Sequence, residues 1–114
     1  MIDRSEFNEQ FKYYDREVVA EIIDLFLGSY AEQLLELRTH LAGGRLDLVN
    51  MHAHTLKGLA ATFVAPAAKS LASEVEEKAG RKEAGGLPEL VAQLEQAMHL
   101  MAGELKTIRE QDYS

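Results

Sequence analysis

Apolar residues recur every three or four positions along four long stretches of the chain, and this spacing predicts amphipathic helices. The first stretch lies between Asp15 and Gly43, with Asp15 as a candidate N-cap and Gly43-Gly44 as a candidate stop. We therefore expect one long helix that buries a single face over this whole segment. Its stripe consists of Val19, Ile22, Ile23, Phe26, Tyr30, Leu34, Leu37 and Leu41.

The second stripe must end near Ala65, because Pro66 disfavours helical geometry in the residue before it. Pro66 suits the first turn of a third helix, which should stop between Gly80 and the Gly85-Gly86 pair. The second stripe consists of Val49, His52, Leu56, Leu59 and Phe63, and the third of Ala68, Leu71, Ala72, Val75 and Ala79.

Pro88 opens a fourth helix, and Ser5 to Tyr13 form a short additional helix whose Phe7 and Phe11 would cover one end of the fold. No segment alternates in the manner of a half-buried strand. The sequence therefore predicts an all-α fold, an antiparallel up-down four-helix bundle with a short extra N-terminal helix, as a single domain over residues 1–114. The fourth stripe consists of Leu90 or Val91, Leu94, Ala97 or Met98, Met101, Leu105 and Ile108.

The amino-acid composition of the chain excludes several classes of binding partner and of chemistry. The chain has 114 residues, 46% of them hydrophobic, and its 12 Lys and Arg against 19 Asp and Glu give a formal charge of −7. This excess of negative charge would repel nucleic acid and anionic membrane surfaces. The absence of cysteine excludes thiol catalysis and thiolate metal sites. The charged N-terminal segment lacks the apolar run of a signal peptide, so we expect a soluble, cytoplasmic protein.

Gly58 lies in the middle of the second long predicted helix, where glycine costs about 1 kcal/mol relative to alanine. This cost suggests that another molecule must come close to the helix at this point. His52 falls on the apolar side and should point toward the bundle interior or its edge, whereas His54 should project into solvent. At about 100° per residue, the residues that share the face of His54 are Asp47, Asn50, Lys57, Gly58 and Ala61.

An exposed imidazole beside a lysine, on a face kept flat by small residues, suits a nucleophile that receives and gives up a phosphoryl group. Neutral imidazole can attack near pH 7, while Lys57 can neutralise charge on the phosphoryl oxygens. Asn50, Gly58 and Ala61 would then form the face on which a partner docks. Spacing alone leaves a simpler interpretation open, in which His54 and Lys57 belong to an ordinary solvated helix face.

The segment His54-Thr55-Leu56-Lys57-Gly58, preceded by Ala53, resembles the His-x-Leu-Lys-Gly signature of histidine-containing phosphotransfer (HPt) domains. The resemblance continues at Leu71 and at Val75-Glu76, where the family usually has a leucine and then an apolar residue followed by Glu or Gln. It implies a phosphocarrier of a two-component phosphorelay that accepts the phosphoryl group on Nε2 of His54. The implied partners are a response regulator receiver domain and a hybrid histidine kinase, with Mg²⁺ supplied by the receiver and no cofactor in this chain.

The same resemblance assigns roles to three further residues. Lys57 would steady the phosphoryl oxygens, Gly58 would leave room for the receiver's loops, and Glu76 would accept a hydrogen bond from Nδ1 and orient the ring. A solvated surface carboxylate stays open as the alternative for Glu76. The sequence also departs from the family pattern, because Val64 stands where a second glycine is common and Ala68 where a leucine is frequent. The turn into the third helix and the direction of Glu76 therefore do not follow from the motif.

The sequence supports three other classes of function less well than phosphotransfer. A metal site is disfavoured because His52 and His54 diverge by about 160° on a helix, and His40 and His99 are expected at the surface or the edge of a stripe. An independent enzyme is disfavoured because the chain has no glycine-rich phosphate loop, so we expect no autonomous kinase activity. A non-catalytic adaptor that binds a receiver or kinase without phosphotransfer stays open. Nothing in the stripes requires a dimer, and we expect a monomer.

Overall fold

The computed structural model describes residues 1–114 as five α-helices and no strand, which confirms the all-α class. Helices α2 to α5 pack in a ring, each against the next along the chain and α2 against α5. None of the five helices combines the length and apolar character needed to span a membrane. The helices are α1 (Arg4–Phe11), α2 (Arg16–Ala42), α3 (Leu46–Thr62), α4 (Pro66–Gly80) and α5 (Leu87–Asp112).

The predicted stripes face one continuous core. Where the periodicity left two options in α5, Val91 and Met98 are the fully buried residues, while Leu90 and Ala97 lie partly exposed at its margin. Most buried residues of α3 and α4, which pack against each other, are alanines, and such small side chains allow two helices to approach closely. Polar residues of α3 come within hydrogen-bonding reach of α4. The buried alanines of these two helices are Ala53, Ala60, Ala68, Ala72 and Ala79.

The short helix α1 covers one end of the fold, as its two phenylalanines predicted. Phe7 and Phe11 are buried, and the Phe11 ring lies 6.5 Å from that of Phe63 at the end of α3. The backbone N–H of Asp3 donates to the carbonyl of Val64 at 2.8 Å, which attaches the N-terminal segment to the turn that follows α3. The Asp3 side chain also caps α1 by accepting from the N–H of Glu6.

Helices α2, α3 and α4 end in the same way, with a left-handed residue and the paired backbone bonds of a Schellman motif. Gly44 takes this position after α2 at φ 70°, as the glycine pair predicted. After α3 the residue is Val64 at φ 55°, and after α4 it is Lys82 at φ 58°. The predicted position of the stop after α4 is confirmed, because the helix ends at Gly80. The residue that takes the left-handed conformation there is a lysine rather than a glycine.

Candidate functional site

His54 projects from the outer face of α3, and its side chain is 71% exposed. Gly58 and Ala61, one and two turns further along the helix, are also exposed. A Cβ atom added at Gly58 would meet nothing within 4 Å, so no contact inside the protein requires a glycine there. At Gly58 and Ala61 the surface beside the imidazole is exposed and carries no bulky side chain.

Glu76 of α4 joins His54 and Lys57 through one carboxylate. Its Oε2 lies 2.5 Å from Nδ1 of His54, and its Oε1 accepts a hydrogen bond from Nζ of Lys57 at 2.8 Å. The Glu76 side chain is only 18% exposed. Glu76 is therefore not the freely solvated carboxylate that the sequence left open as an alternative. The changes at Val64 and Ala68 have not turned it away from the histidine.

The charge of the site follows from these contacts. The hydrogen bond from the Lys57 ammonium holds the pKa of the Glu76 carboxyl below its usual value, and the contact with His54 lowers the pKa further, while partial burial opposes both. Glu76 is consequently an anion at neutral pH. An anion accepts but cannot donate, so a neutral His54 ring must carry its proton on Nδ1. Nε2 then keeps its lone pair, and it makes no hydrogen bond within the chain.

Asn50, which the sequence placed on the same face as His54, lies at the border of that face with α4. Its side-chain amide donates to the backbone carbonyl of Glu76 at 2.7 Å, in a partly buried position. Helical spacing indicates which face of α3 carries Asn50, but not which helix packs against that face. This bond was therefore not predicted from the sequence, and its only signal was a polar residue one turn before His54 on the same face.

The other histidines lie away from this site. His52 lies at the edge between α3 and α2, with its side chain 15% exposed, its ring stacked 5.1 Å from that of His40 and its Nε2 3.8 Å from the Glu36 carboxylate. His99 of α5 contacts the hydroxyl of Tyr30 at 3.2 Å. The predicted difference between His52 and His54 is confirmed in direction: one points into the helix packing and the other into solvent.

Comparisons with known proteins agree with this geometry. The family model of the Hpt domain matches residues 21–107. Among solved structures, the crystal structure of histidine-containing phosphotransfer protein B (HptB) from Pseudomonas aeruginosa PAO1 matches with a TM-score of 0.88. The two chains share 24% sequence identity, and the match covers 96% of this chain and 95% of that one. No curated protein sequence matches the chain.

The family match spans most of the chain, from the first third of α2 to the last turns of α5. The chain therefore belongs to the Hpt domain family and has a role in histidine phosphotransfer within a phosphorelay. Proteins of this family interact with receiver and kinase domains. The similarity to HptB, at its low sequence identity, shows that the two chains share a fold.

Proposed function

We propose that His54 is the phospho-accepting residue and that it exchanges a phosphoryl group with the aspartate of a receiver domain. The observation that carries this proposal is the contact of the Glu76 carboxylate with Nδ1 of an exposed histidine. A carboxylate at one ring nitrogen fixes the tautomer and raises the electron density of the ring. No other histidine of the chain combines exposure, a carboxylate at hydrogen-bond distance and a neighbouring lysine.

The transfer step balances with the groups that are present. The Nε2 lone pair attacks the phosphorus of the receiver's aspartyl phosphate, an Nε2–P bond forms, and the P–O bond to the aspartate breaks with its electron pair. The receiver's carboxylate leaves as an anion. Because Nδ1 keeps its proton, the phosphorylated ring carries a positive charge, and the Glu76 anion lies against that charge. The reverse step returns the phosphoryl group without moving a proton.

Lys57, which is bound to the other oxygen of the Glu76 carboxylate, stabilises the same transfer step. Its side chain is 28% exposed and its ammonium is held by Glu76 near the imidazole. An ammonium group has three donors, so it can keep the bond to Glu76 and also donate to phosphoryl oxygens. These oxygens carry the charge of the loose transition state, and a nearby cation stabilises it.

We also propose where the receiver docks and in which state the chain acts. Gly58 and Ala61, bounded by Asn50, form the docking face for the receiver, which supplies Mg²⁺ to the transfer step. The chain is a phosphocarrier without kinase activity of its own and needs no cofactor. It acts in the cytoplasm as a monomer, and residues 1–114 fold as one domain. The ring of contacts among α2 to α5 supports an antiparallel up-down bundle, with α1 covering one end.

The experiment mixes the purified protein with a phosphorylated receiver domain at neutral to basic pH, where phosphohistidine persists, and records intact mass spectra. We expect the mass gain of one phosphoryl group in the wild-type and His52→Gln proteins and no gain in His54→Gln. Labelling of His54→Gln would refute the assignment of the acceptor. Absence of labelling in the wild type with several receivers, despite binding, would favour the adaptor function.

A further inference from the structure

Asn50 binds the backbone of Glu76 rather than its side chain, with Nδ2 2.7 Å from the carbonyl oxygen. In an α-helix the carbonyl of residue 76 is already the acceptor for the N–H of residue 80. A carbonyl oxygen has a second lone pair, so it can accept both bonds. The Asn50 bond is thus additional to the helical hydrogen bonds of α4. It attaches α4 to α3 at the residue that carries the carboxylate.

Three residues of α3 converge on Glu76. Asn50 binds its carbonyl, His54 its Oε2 and Lys57 its Oε1. Their spacing of four and three places them on one face of the helix. A glutamate carboxylate is separated from its Cα atom by three rotatable bonds, so the contacts of His54 and Lys57 fix the backbone of residue 76 only loosely. The Asn50 bond acts on that backbone directly and adds to the packing of α4.

Gly80 provides the room for this bond. A Cβ atom at position 80 would lie 3.2 Å from Nδ2 of Asn50, which is closer than an ordinary van der Waals contact. The left-handed residue at the end of α4 is Lys82, so Gly80 is not needed for the backbone geometry of the turn. The absence of a side chain at position 80 therefore serves the Asn50 amide.

We propose that Asn50 is a positioning residue for phosphotransfer. It holds the backbone of Glu76 at the position along α4 from which the carboxylate reaches His54. Glu76 in turn keeps the imidazole proton on Nδ1 and the lone pair on Nε2. The Asn50 amide hydrogen-bonds to the backbone carbonyl of Glu76 and not to the imidazole, so it acts through Glu76. The proposal rests on the proposed function of His54, but the tautomer of the ring can be measured without any phosphoryl transfer.

The test uses the full chain labelled with ¹⁵N in histidine, as wild type and as Asn50→Ala, Gly80→Val and Asn50→Gln variants. Asn8→Ala, on the exposed surface of α1, is the matched control. Two quantities are measured in slightly alkaline solution: the Nδ1–H fraction of His54 from ¹⁵N shifts, and the rate of transfer from a phosphorylated receiver. Thermal unfolding establishes that each variant is folded.

We expect Asn50→Ala to lower the Nδ1–H fraction and to slow transfer about tenfold, the lower end of the range for groups that orient a metal-bound histidine in the same way. Gly80→Val should shift both quantities in the same direction, Asn50→Gln should recover part of each, and Asn8→Ala should change neither. An unchanged tautomer in folded Asn50→Ala would overturn the proposal, and a slower transfer with that unchanged tautomer would make Asn50 a docking residue instead. A wild type that takes no phosphoryl group refutes the proposed function, while the tautomer measurement still decides the role of Asn50.

Discussion

Oε2 of Glu76 lies 2.5 Å from Nδ1 of His54, although the two residues belong to different helices. The other oxygen of the carboxylate is bound to Lys57. One side chain thus orients the ring, keeps a negative charge beside it and holds a cation close to the position of the incoming phosphoryl group. The chemistry of the site therefore depends on Glu76 as much as on the histidine.

Replacing Glu76 tests this dependence. We expect Glu76→Ala to slow transfer from a phosphorylated receiver by about 10- to 100-fold, because the ring loses the group that fixes its tautomer. Glu76→Gln should lose less, since its amide oxygen still accepts a bond from Nδ1 but carries no charge. Rapid-quench labelling measures both rates. Glu74→Ala, an exposed glutamate of the same helix, is the control, and equal rates in all four proteins would refute the role of Glu76.

Lys57→Ala should make the stability of the protein less dependent on acid pH. Lys57 is the main reason that the pKa of the Glu76 carboxyl lies below its usual value. A carboxyl with a lowered folded pKa contributes stability above its unfolded pKa and loses it as pH falls through the folded pKa. The pair should therefore contribute roughly 0.5–1 kcal/mol at pH 7 and little near pH 3.

Denaturant unfolding of wild type and Lys57→Ala at several pH values measures this difference, and ¹³C NMR should show that the pKa of Glu76 rises in the variant. Lys69→Ala, which removes an exposed lysine of α4, should keep the pH dependence of the wild type. A Glu76 pKa that stays in place when Lys57 is removed would contradict the electrostatic account. We also expect Lys57→Ala to slow phosphoryl transfer without abolishing it.

The core of the fold could be predicted from periodicity, because a stripe of apolar residues determines which face of a helix must be buried. The exposed face of α3 followed from the same count, which placed His54 and Gly58 together and His52 on the other side. The contact of Glu76 with His54 did not follow from periodicity. It depends on how α4 is rotated and shifted against α3, and only the family resemblance pointed to it.

Helix ends were predicted less completely, because left-handed residues other than glycine leave no clear sign in the sequence. Gly44 was a recognisable stop, but Val64 and Lys82 take the same conformation without being glycines. At Val64 the family pattern, which commonly has a glycine, was the better guide to the backbone. The surrounding packing imposes the conformation there, at the expense of local preference.

Lys82→Gly should stabilise the protein by about 1 kcal/mol, because a left-handed conformation costs an L-residue roughly 1–2 kcal/mol and glycine adopts it freely. Val64→Gly should gain less, since the partly buried valine also packs against the core. Thermal and denaturant unfolding measure both changes. Lys69→Gly, in the interior of α4, should instead destabilise by about 1 kcal/mol. Destabilisation by Lys82→Gly would contradict the assignment of strain to this position.

Gly58→Arg should weaken the complex with a receiver domain, because it places a long side chain on the flat face beside His54. The substitution meets nothing inside the protein, so the fold should persist. Titration calorimetry with the receiver should show a loss of affinity of at least about tenfold, equivalent to 1.4 kcal/mol. Gly103→Arg is the matched control, since Gly103 is another helical glycine with open space around it. Unchanged affinity for Gly58→Arg would exclude this face as the docking surface.

We expect the phosphoryl group on Nε2 of His54, while Nδ1 keeps its proton against Glu76. Heteronuclear ³¹P and ¹⁵N NMR of the phosphorylated, ¹⁵N-histidine-labelled protein identifies both atoms in one experiment. We predict a single phosphorylated ring, assigned to His54, with phosphorus coupled to Nε2 and a proton on Nδ1. Phosphorus bonded to Nδ1, or to a ring of His40, His52 or His99, would contradict the account.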